Sequence, residues 1–437
     1  MSTKPIHKTD DVFGIARELP LNYVTRDGVD GALLDNLTRD RHIVIYGGSK
    51  QGKTCLRKHV LGESDYINVT CSNKWTLGQL HASILKQAGY VVEQSATLTV
   101  SGQNKVSAKV AAKVGVQLIG EIGGEIAAEN VDEKERQIVE KAIELDPFDV
   151  NDIIAALNEI EFSEYIVLED FHYLPEDTQK DFAVALKAFH EDSKHCFVVV
   201  VVGVWRDENR LIQYNGDLTG RVVTINADEW SESELRQVVE KGEKLLNITF
   251  DRAFVDGVIT GCFDSVYVVQ ESCHRACTID DVRSTQVTHR VVGTTTSAEE
   301  TIGAVIAAQT ARYHSFIDMF SGGFMESSLE MYRWLLYPIL TAESKELEKG
   351  LRYNAINKIL KSKHPSGAAL KPGNLTGVLK MTAALQIKRG IKPIILDYSG
   401  LVLTVVDRGF LIWLSHQKVA DLLEMAGLPQ VLTVDDA

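Results

Sequence analysis

Short runs of β-branched and aliphatic residues recur along the first half of the chain, separated by stretches whose apolar positions repeat every three to four residues. His42-Ile-Val-Ile-Tyr46 is the first such run, and 66–69, 165–168, 197–202 and 221–225 follow it. Continuous apolar runs this short read as strands buried on both faces. Helical periodicity fills the gaps: 31–41, with Leu33, Leu34 and Leu37 on one face, then a helix opening near Lys53, then 76–88 and 178–191. The alternation predicts an α/β fold, a parallel sheet with helices on both faces. Beyond Ile225 the pattern is helical, over 231–246, 252–262, 266–277 and 297–320. The last opens on Ser297-Ala-Glu-Glu300, a capping box in which the two side chains satisfy each other's backbone amides. From 328 the order is helix (331–342), helix (351–361), a Gly/Pro-bearing loop and helix (374–386). Two strands, 393–397 and 401–406, joined at Tyr398-Ser-Gly400, and a final helix complete it. Three helices closed by a hairpin is the winged-helix order.

These patterns divide the chain into an N-terminal lead-in (1–41), a sheet-bearing core (42–228), a helical lid (229–327) and a winged helix (328–437). An insert at about 93–145 interrupts the core, with a four-residue repeat: Val106, Val110, Val114, Leu118, Ile122 and Ile126 each follow a polar residue. Alternation between apolar and polar positions favours half-buried strands there, since internal Val and Gly suit strands better than helices. A helical reading, with Ala108, Ala112, Gly120 and Gly124 as a close-packing stripe, is the alternative. Either way the insert reads as a protein–protein or regulatory element.

Composition narrows the setting. No secretory signal and no run of about 18 apolar residues is present, which argues against a membrane span. Six scattered cysteines fit reduced thiols in a cytoplasmic protein. Cys262, Cys273, His274 and Cys277 lack a paired C-x-x-C spacing and read as helix-core residues rather than a zinc site. The net charge is −14, yet the 48 residues 349–396 hold ten Lys or Arg and no acid. An asymmetry of that size marks a surface for polyanions.

The chemistry begins after the first strand. Gly47-Gly-Ser-Lys-Gln-Gly-Lys-Thr54 matches G-x-x-x-x-G-K-[ST] at every fixed position and stands between a strand and a helix. Gly47, Gly48, Ser49, Lys50, Gln51 and Gly52 would form a nest of inward N–H groups at a helix N-terminus. Lys53 is expected to reach the β- and γ-phosphates and Thr54 to ligate Mg2+. About 115 residues on, Tyr165-Ile-Val-Leu-Glu-Asp170 ends a strand in two acids. Glu169 is expected at the metal, and Asp170 at the attacking water or the same ion. His172 reads as a loop histidine behind them.

With these motifs in order, the chain resembles the AAA+ branch of P-loop ATPases, in particular its STAND-type and origin-recognition-like members. The resemblance covers roughly 12–92 and 146–280. It implies ATP and Mg2+ as cofactors and weak ATPase activity. Asn22-Tyr-Val-Thr-Arg-Asp27 resembles the segment that packs on adenine, which implies Tyr23, Val24 and Arg26 near the base. Val202-Gly-Val-Trp-Arg206 resembles a sensor strand, which points to Arg206; Asp217-Leu-Thr-Gly-Arg221 resembles the arginine-finger region, which points to Arg221. Three departures stand out: the usual Asp-then-Glu order is inverted, which puts efficient hydrolysis in doubt, the insert interrupts the core, and no second sensor is evident in the lid.

The basic module completes the expectation. On a DNA-binding winged helix the third helix enters the major groove while basic residues neutralise phosphates. Lys371, Asn374, Thr376, Lys380, Lys388, Arg389 and Lys392 would serve on double-stranded DNA. The reading is an ATP switch that forms a homo-oligomer and controls DNA engagement, away from any membrane. The alternative is a signalling or anti-phage scaffold that holds ATP and whose winged helix binds a protein effector.

Overall fold

A computed structural model describes residues 5–14, 18–100, 103–110, 142–228, 230–324 and 328–430. Its first strands are β1 (His42–Tyr46), β2 (Tyr66–Thr70), β3 (Tyr90–Val100), β4 (Gln103–Val110), β5 (Ala142–Leu145), β6 (Tyr165–Glu169), β7 (Val199–Val202) and β8 (Val222–Asn226). Five of them form one sheet in the order β2–β6–β7–β1–β8, every pair parallel. Side chains alternate across it, as strand geometry dictates. Ile43 and Ile45 face a layer holding Leu33 and Leu56, whereas Val44 and Tyr46 face one holding Leu80, Ile153 and Phe182. Helices Asp27–Leu37 and Lys53–Val60 thus cover one face, and Leu77–Gln87, Val150–Glu159 and Glu176–Glu191 the other. The all-valine β7 is buried throughout, which explains its unbroken apolar run.

Part of the insert is a second sheet, β3–β4–β5, antiparallel, with Val106 opposite Leu145. The repeat positions Val114, Leu118, Ile122 and Ile126 lie outside the described residues.

The second half departs from the sequence pattern in instructive places. Residues 297–320 form two helices, Ala298–Ala307 and Thr310–Ser321, and Ser297 and Glu300 make the expected capping box. The break lets the second helix aim Tyr313 and Phe316 at Phe410, away from the line of the first. Residues 374–386 likewise split, into Pro372–Lys380 and Thr382–Lys388 around Met381. Two short strands, β9 (Ile248–Phe250) and β10 (Arg290–Val292), pair in parallel within the helical region. Residues 351–352, expected to start a helix, instead form strand β11 (Leu351–Arg352), which joins β12 (Leu396–Ser399) and β13 (Val402–Val405) in the order β11–β13–β12. Gln386, fully buried, ties helix to sheet: its Nε2 donates to Thr382 and Leu396 carbonyls, and its Oε1 accepts from the Ile395 and Leu396 amides.

The C-terminal sheet does not stand apart from the parallel one. Val204, Ile394 and Val406 form a buried apolar seam between them. Beside it Arg210 pairs with Asp397 at 3.2 Å, the carboxylate only 1% exposed. Among the described residues, no helix is long and apolar enough to cross a membrane.

Candidate nucleotide site

The Gly47–Thr54 loop leaves the end of β1 and turns into the helix Lys53–Val60. Gly52 caps that helix at φ 85°, a left-handed conformation that favours glycine. At Gly48 a side chain is excluded by approach: a Cβ would stand 2.7 Å from the Val406 carbonyl oxygen. Lys53 folds back so that its Nζ donates to the carbonyls of Gly47, at 3.0 Å, and Gly48. Burial lowers the Lys53 pKa to about 8, against the opposing charges of Asp228, Glu169 and Asp170. The buried ammonium thus makes two charge-assisted hydrogen bonds within the loop.

β6 brings the two acids to the same edge of the sheet. Glu169 accepts from Arg57 Nε at 2.8 Å, so an arginine one turn past Lys53 fixes it. Asp170 turns the chain sharply at φ 58° into the 3₁₀ turn Phe171–Tyr173. Burial raises the pKa of both carboxyls; Arg57 opposes this at Glu169, and Lys53 and Lys392 at Asp170. Thr54, Glu169 and Asp170 line one cavity with Lys53. A hydroxyl and two desolvated carboxylates are hard oxygen donors, a set that suits Mg2+.

That cavity encloses about 390 Å³. Tyr23 and Val24 line its apolar end, with Val238, Val266, Tyr267 and Trp230 from the helical region. Arg26 lies behind this wall, donating to the Ala227 carbonyl at 3.0 Å with its guanidinium 4.1 Å over Trp230. Lys50, also at the cavity, places its ammonium 3.8 Å over the ring of Tyr267. Pro393, from the C-terminal segment, closes one side.

The two arginines at which the resemblance pointed, Arg206 and Arg221, part company. Arg206 lies 3.4 Å from Asp228 and donates to the Glu348 carbonyl at 2.8 Å. Asp228 in turn accepts from the Gly48 amide, so Arg206 reaches the phosphate loop through one carboxylate. Arg221 stands at the start of β8, the opposite end from the loop, and pairs with Glu191. His172 is buried in the cavity wall and accepts from the Val204 amide through Nδ1 at 3.2 Å. Burial, reinforced by Lys53, Arg210 and Lys392, holds its pKa well below the ordinary histidine value.

Asp228 and Tyr267 were not singled out from sequence. Asp228 had a local signal, an acid just past the strand 221–225; Tyr267 had none.

The basic residues separate into groups. Lys371 and Lys380 are exposed, while the Asn374 side chain caps its own helix by accepting from the Lys371 amide, and Thr376 donates to the Pro372 carbonyl. Lys388 lies over Phe324 at 4.9 Å, and Arg389 donates to the Gly323 carbonyl. Lys392 places its ammonium 4.3 Å over Tyr173, at the cavity's edge. Cys262, Cys273 and Cys277 are buried.

A glycine-rich loop after a parallel strand of the sheet, with acids at the end of a strand one place removed across β7, defines a P-loop ATPase fold. The Walker-type ATPase paby2304 of Pyrococcus abyssi is similar to the chain at 11% identity, covering 92% of this chain and 99% of that one, with a TM-score of 0.52. The ORC2 protein of Aeropyrum pernix, solved as ADPNP and ADP complexes, matches at 13% identity over 96% and 99%, with a TM-score of 0.46. That organism's ORC1 protein, solved with DNA, matches at 12% identity over 97% and 98%, with a TM-score of 0.41. The first likeness is one of fold, and the other two are too loose to add to it. No protein-family model matches the chain, and no curated protein does.

Proposed function

We propose that the chain is an ATP-dependent switch of the AAA+ kind, similar to origin-recognition-like and STAND-type proteins. One observation carries the reading: Lys53, Thr54, Glu169 and Asp170 converge on a cavity whose far end is apolar and whose rim includes Pro393 of the C-terminal segment. The triphosphate lies against the loop amides and Lys53, and the purine against Tyr23, Val24 and Val266. Its volume suits a small-molecule ligand. Thr54, Glu169 and Asp170 hold Mg2+, which when bound neutralises charge on the β- and γ-phosphates. Hydrolysis is slow, because Glu169 divides its carboxylate between Arg57 and the metal, and Asp170, the shorter acid, must serve both the metal and the attacking water. Arg221, exposed in part and distant from its own loop, acts on the nucleotide of a neighbouring copy in a homo-oligomer.

The nucleotide state sets how the C-terminal segment, a winged helix, sits on the core. Its exposed Lys358, Lys361, Lys371 and Lys380 engage the phosphates of double-stranded DNA in the cytoplasm. A protein-binding scaffold is the rival, favoured by the intramolecular bonds of Asn374 and Arg389.

Titration with a fluorescent ATP analogue tests the core of this. Lys53→Ala removes charge-assisted bonds and weakens binding by roughly ten- to a hundredfold; unchanged affinity overturns the reading. Filter binding to duplex DNA over a salt series separates the rivals, since a flat response favours the scaffold.

A further inference from the structure

Among the described residues three buried histidines, His42, His172 and His364, accept a backbone amide through Nδ1, and they differ in what the other nitrogen does; that of His364 meets the Leu329 carbonyl at 2.8 Å. His42 accepts from Val199 at 3.1 Å, and its Nε2 lies 2.7 Å from the Leu186 carbonyl, so both nitrogens are matched. His172 accepts from Val204 at 3.2 Å, but its Nε2 is buried with no hydrogen-bond partner among the described residues. An Nδ1 that accepts an amide carries no proton, so the proton of the ring stands on Nε2 as a donor. Burying an unmatched donor is costly, and native interiors rarely tolerate it without a reason. Here the ring, 4% exposed, lines the nucleotide cavity between Asp170 and Tyr173, in the wall that also holds Lys53. An anionic oxygen in that cavity is the partner that fits a neutral, fixed donor.

We infer that His172 donates its Nε2–H to the terminal phosphate of a bound nucleoside triphosphate and so distinguishes triphosphate from diphosphate. The inference rests on the nucleotide reading above. The ring is well placed to report what it senses. Its Nδ1 is fixed by the Val204 amide, and the Val204 side chain packs in the seam with Ile394 and Val406 of the C-terminal segment. A terminal phosphate that draws the ring toward itself therefore pulls on the residue that seats that segment.

The test is equilibrium binding of fluorescent ATP and ADP to the full chain, read as the ratio of the two affinities. His172→Phe keeps the ring volume without a donor, and it should weaken ATP about tenfold while ADP changes less than twofold. His172→Gln carries an amide N–H near the position of Nε2 and should restore most of the ATP preference. Equal losses for both nucleotides, or an unchanged ratio in His172→Phe, overturn the inference. Should that variant fail to fold, nitrogen-15 spectra of the unsubstituted protein decide. The His172 Nε2–H signal should move with an imido analogue of ATP and stay in place with ADP; a signal indifferent to both counts against the inference. An unsubstituted protein that binds neither nucleotide overturns the nucleotide reading itself, and this inference with it.

Discussion

The backbone amide of Ser49 donates to the backbone carbonyl of Val406 at 3.0 Å, joining the phosphate loop to the residue that follows β13. A ligand that reshapes the loop must stretch or keep this bond, so β13 is expected to register occupancy. Hydrogen exchange followed by mass spectrometry should show altered protection over 402–408 when ATP is added. Lys53→Ala should abolish the change. Identical exchange with and without ATP in the unsubstituted chain would refute the coupling.

The Arg210–Asp397 pair anchors the same junction from inside. Asp397 is 1% exposed, and removing it leaves the Arg210 guanidinium buried without its countercharge. Asp397→Ala should destabilise the chain by about 3–5 kcal/mol, read from the urea midpoint. A loss below about 1 kcal/mol would mean that solvent reaches the arginine.

Lys53 makes nucleotide affinity depend on pH. Burial favours its neutral form and sets the pKa near about 8; a phosphate beside it favours the charged form and raises that value. Binding above about pH 8 therefore takes up a proton. Affinity should be level below about 8 and fall by up to tenfold per pH unit above it. Calorimetry at pH 8.5 in two buffers of different ionisation enthalpy measures the uptake directly, and zero uptake contradicts the placement of the amine.

Acid stability turns on His42 and His81, whose pKa values burial lowers to about 4. The unfolded chain binds their protons near the ordinary 6.5, the folded chain only near 4. Stability is thus fully present above about 6.5 and is lost as pH falls toward 4, by about 1.4 kcal/mol per unit for each histidine. Urea midpoints across that window check the slope, and His42→Asn should remove its share, about 1.4 kcal/mol per unit, while that of His81 remains.

The two acids should divide their labour. Asp170→Asn is expected to reduce steady-state turnover at least a hundredfold with nucleotide affinity nearly intact. Glu169→Gln should also lower the urea midpoint, because Arg57 loses a charged partner. Equal stability of the two variants would show that the Arg57 contact contributes little.

Sequence carried the phosphate loop and the parallel sheet because both depend on local signals. A buried strand needs four or five consecutive apolar residues, and the loop needs glycine at fixed spacing before a lysine. The helix breaks at Gln309 and Met381 had no such signal. Apolar spacing runs through both, and Phe316 and Leu385 beyond the breaks are buried in the same core. Strand β11, two residues long, exists only through its pairing with Leu403 and Val402. At the site, the loop and acids were readable, whereas the approach of Val406, the link through Asp228 and the orphaned nitrogen of His172 arise from residues far apart in the chain. Arg26 shows the reverse case: Tyr23 and Val24 beside it line the cavity, but its guanidinium turns onto Trp230, which no local pattern announces.

Gln386 gives the C-terminal segment a mechanical property. Three hydrogen bonds from one buried amide, with a fourth inside its own helix, tie the helix Thr382–Lys388 to the strand that begins three residues after Pro393. Neither can be displaced without the other at small cost. A displacement of the segment after Pro393 would therefore carry the helix Thr382–Lys388 with it, much as a short lever arm turns a long one.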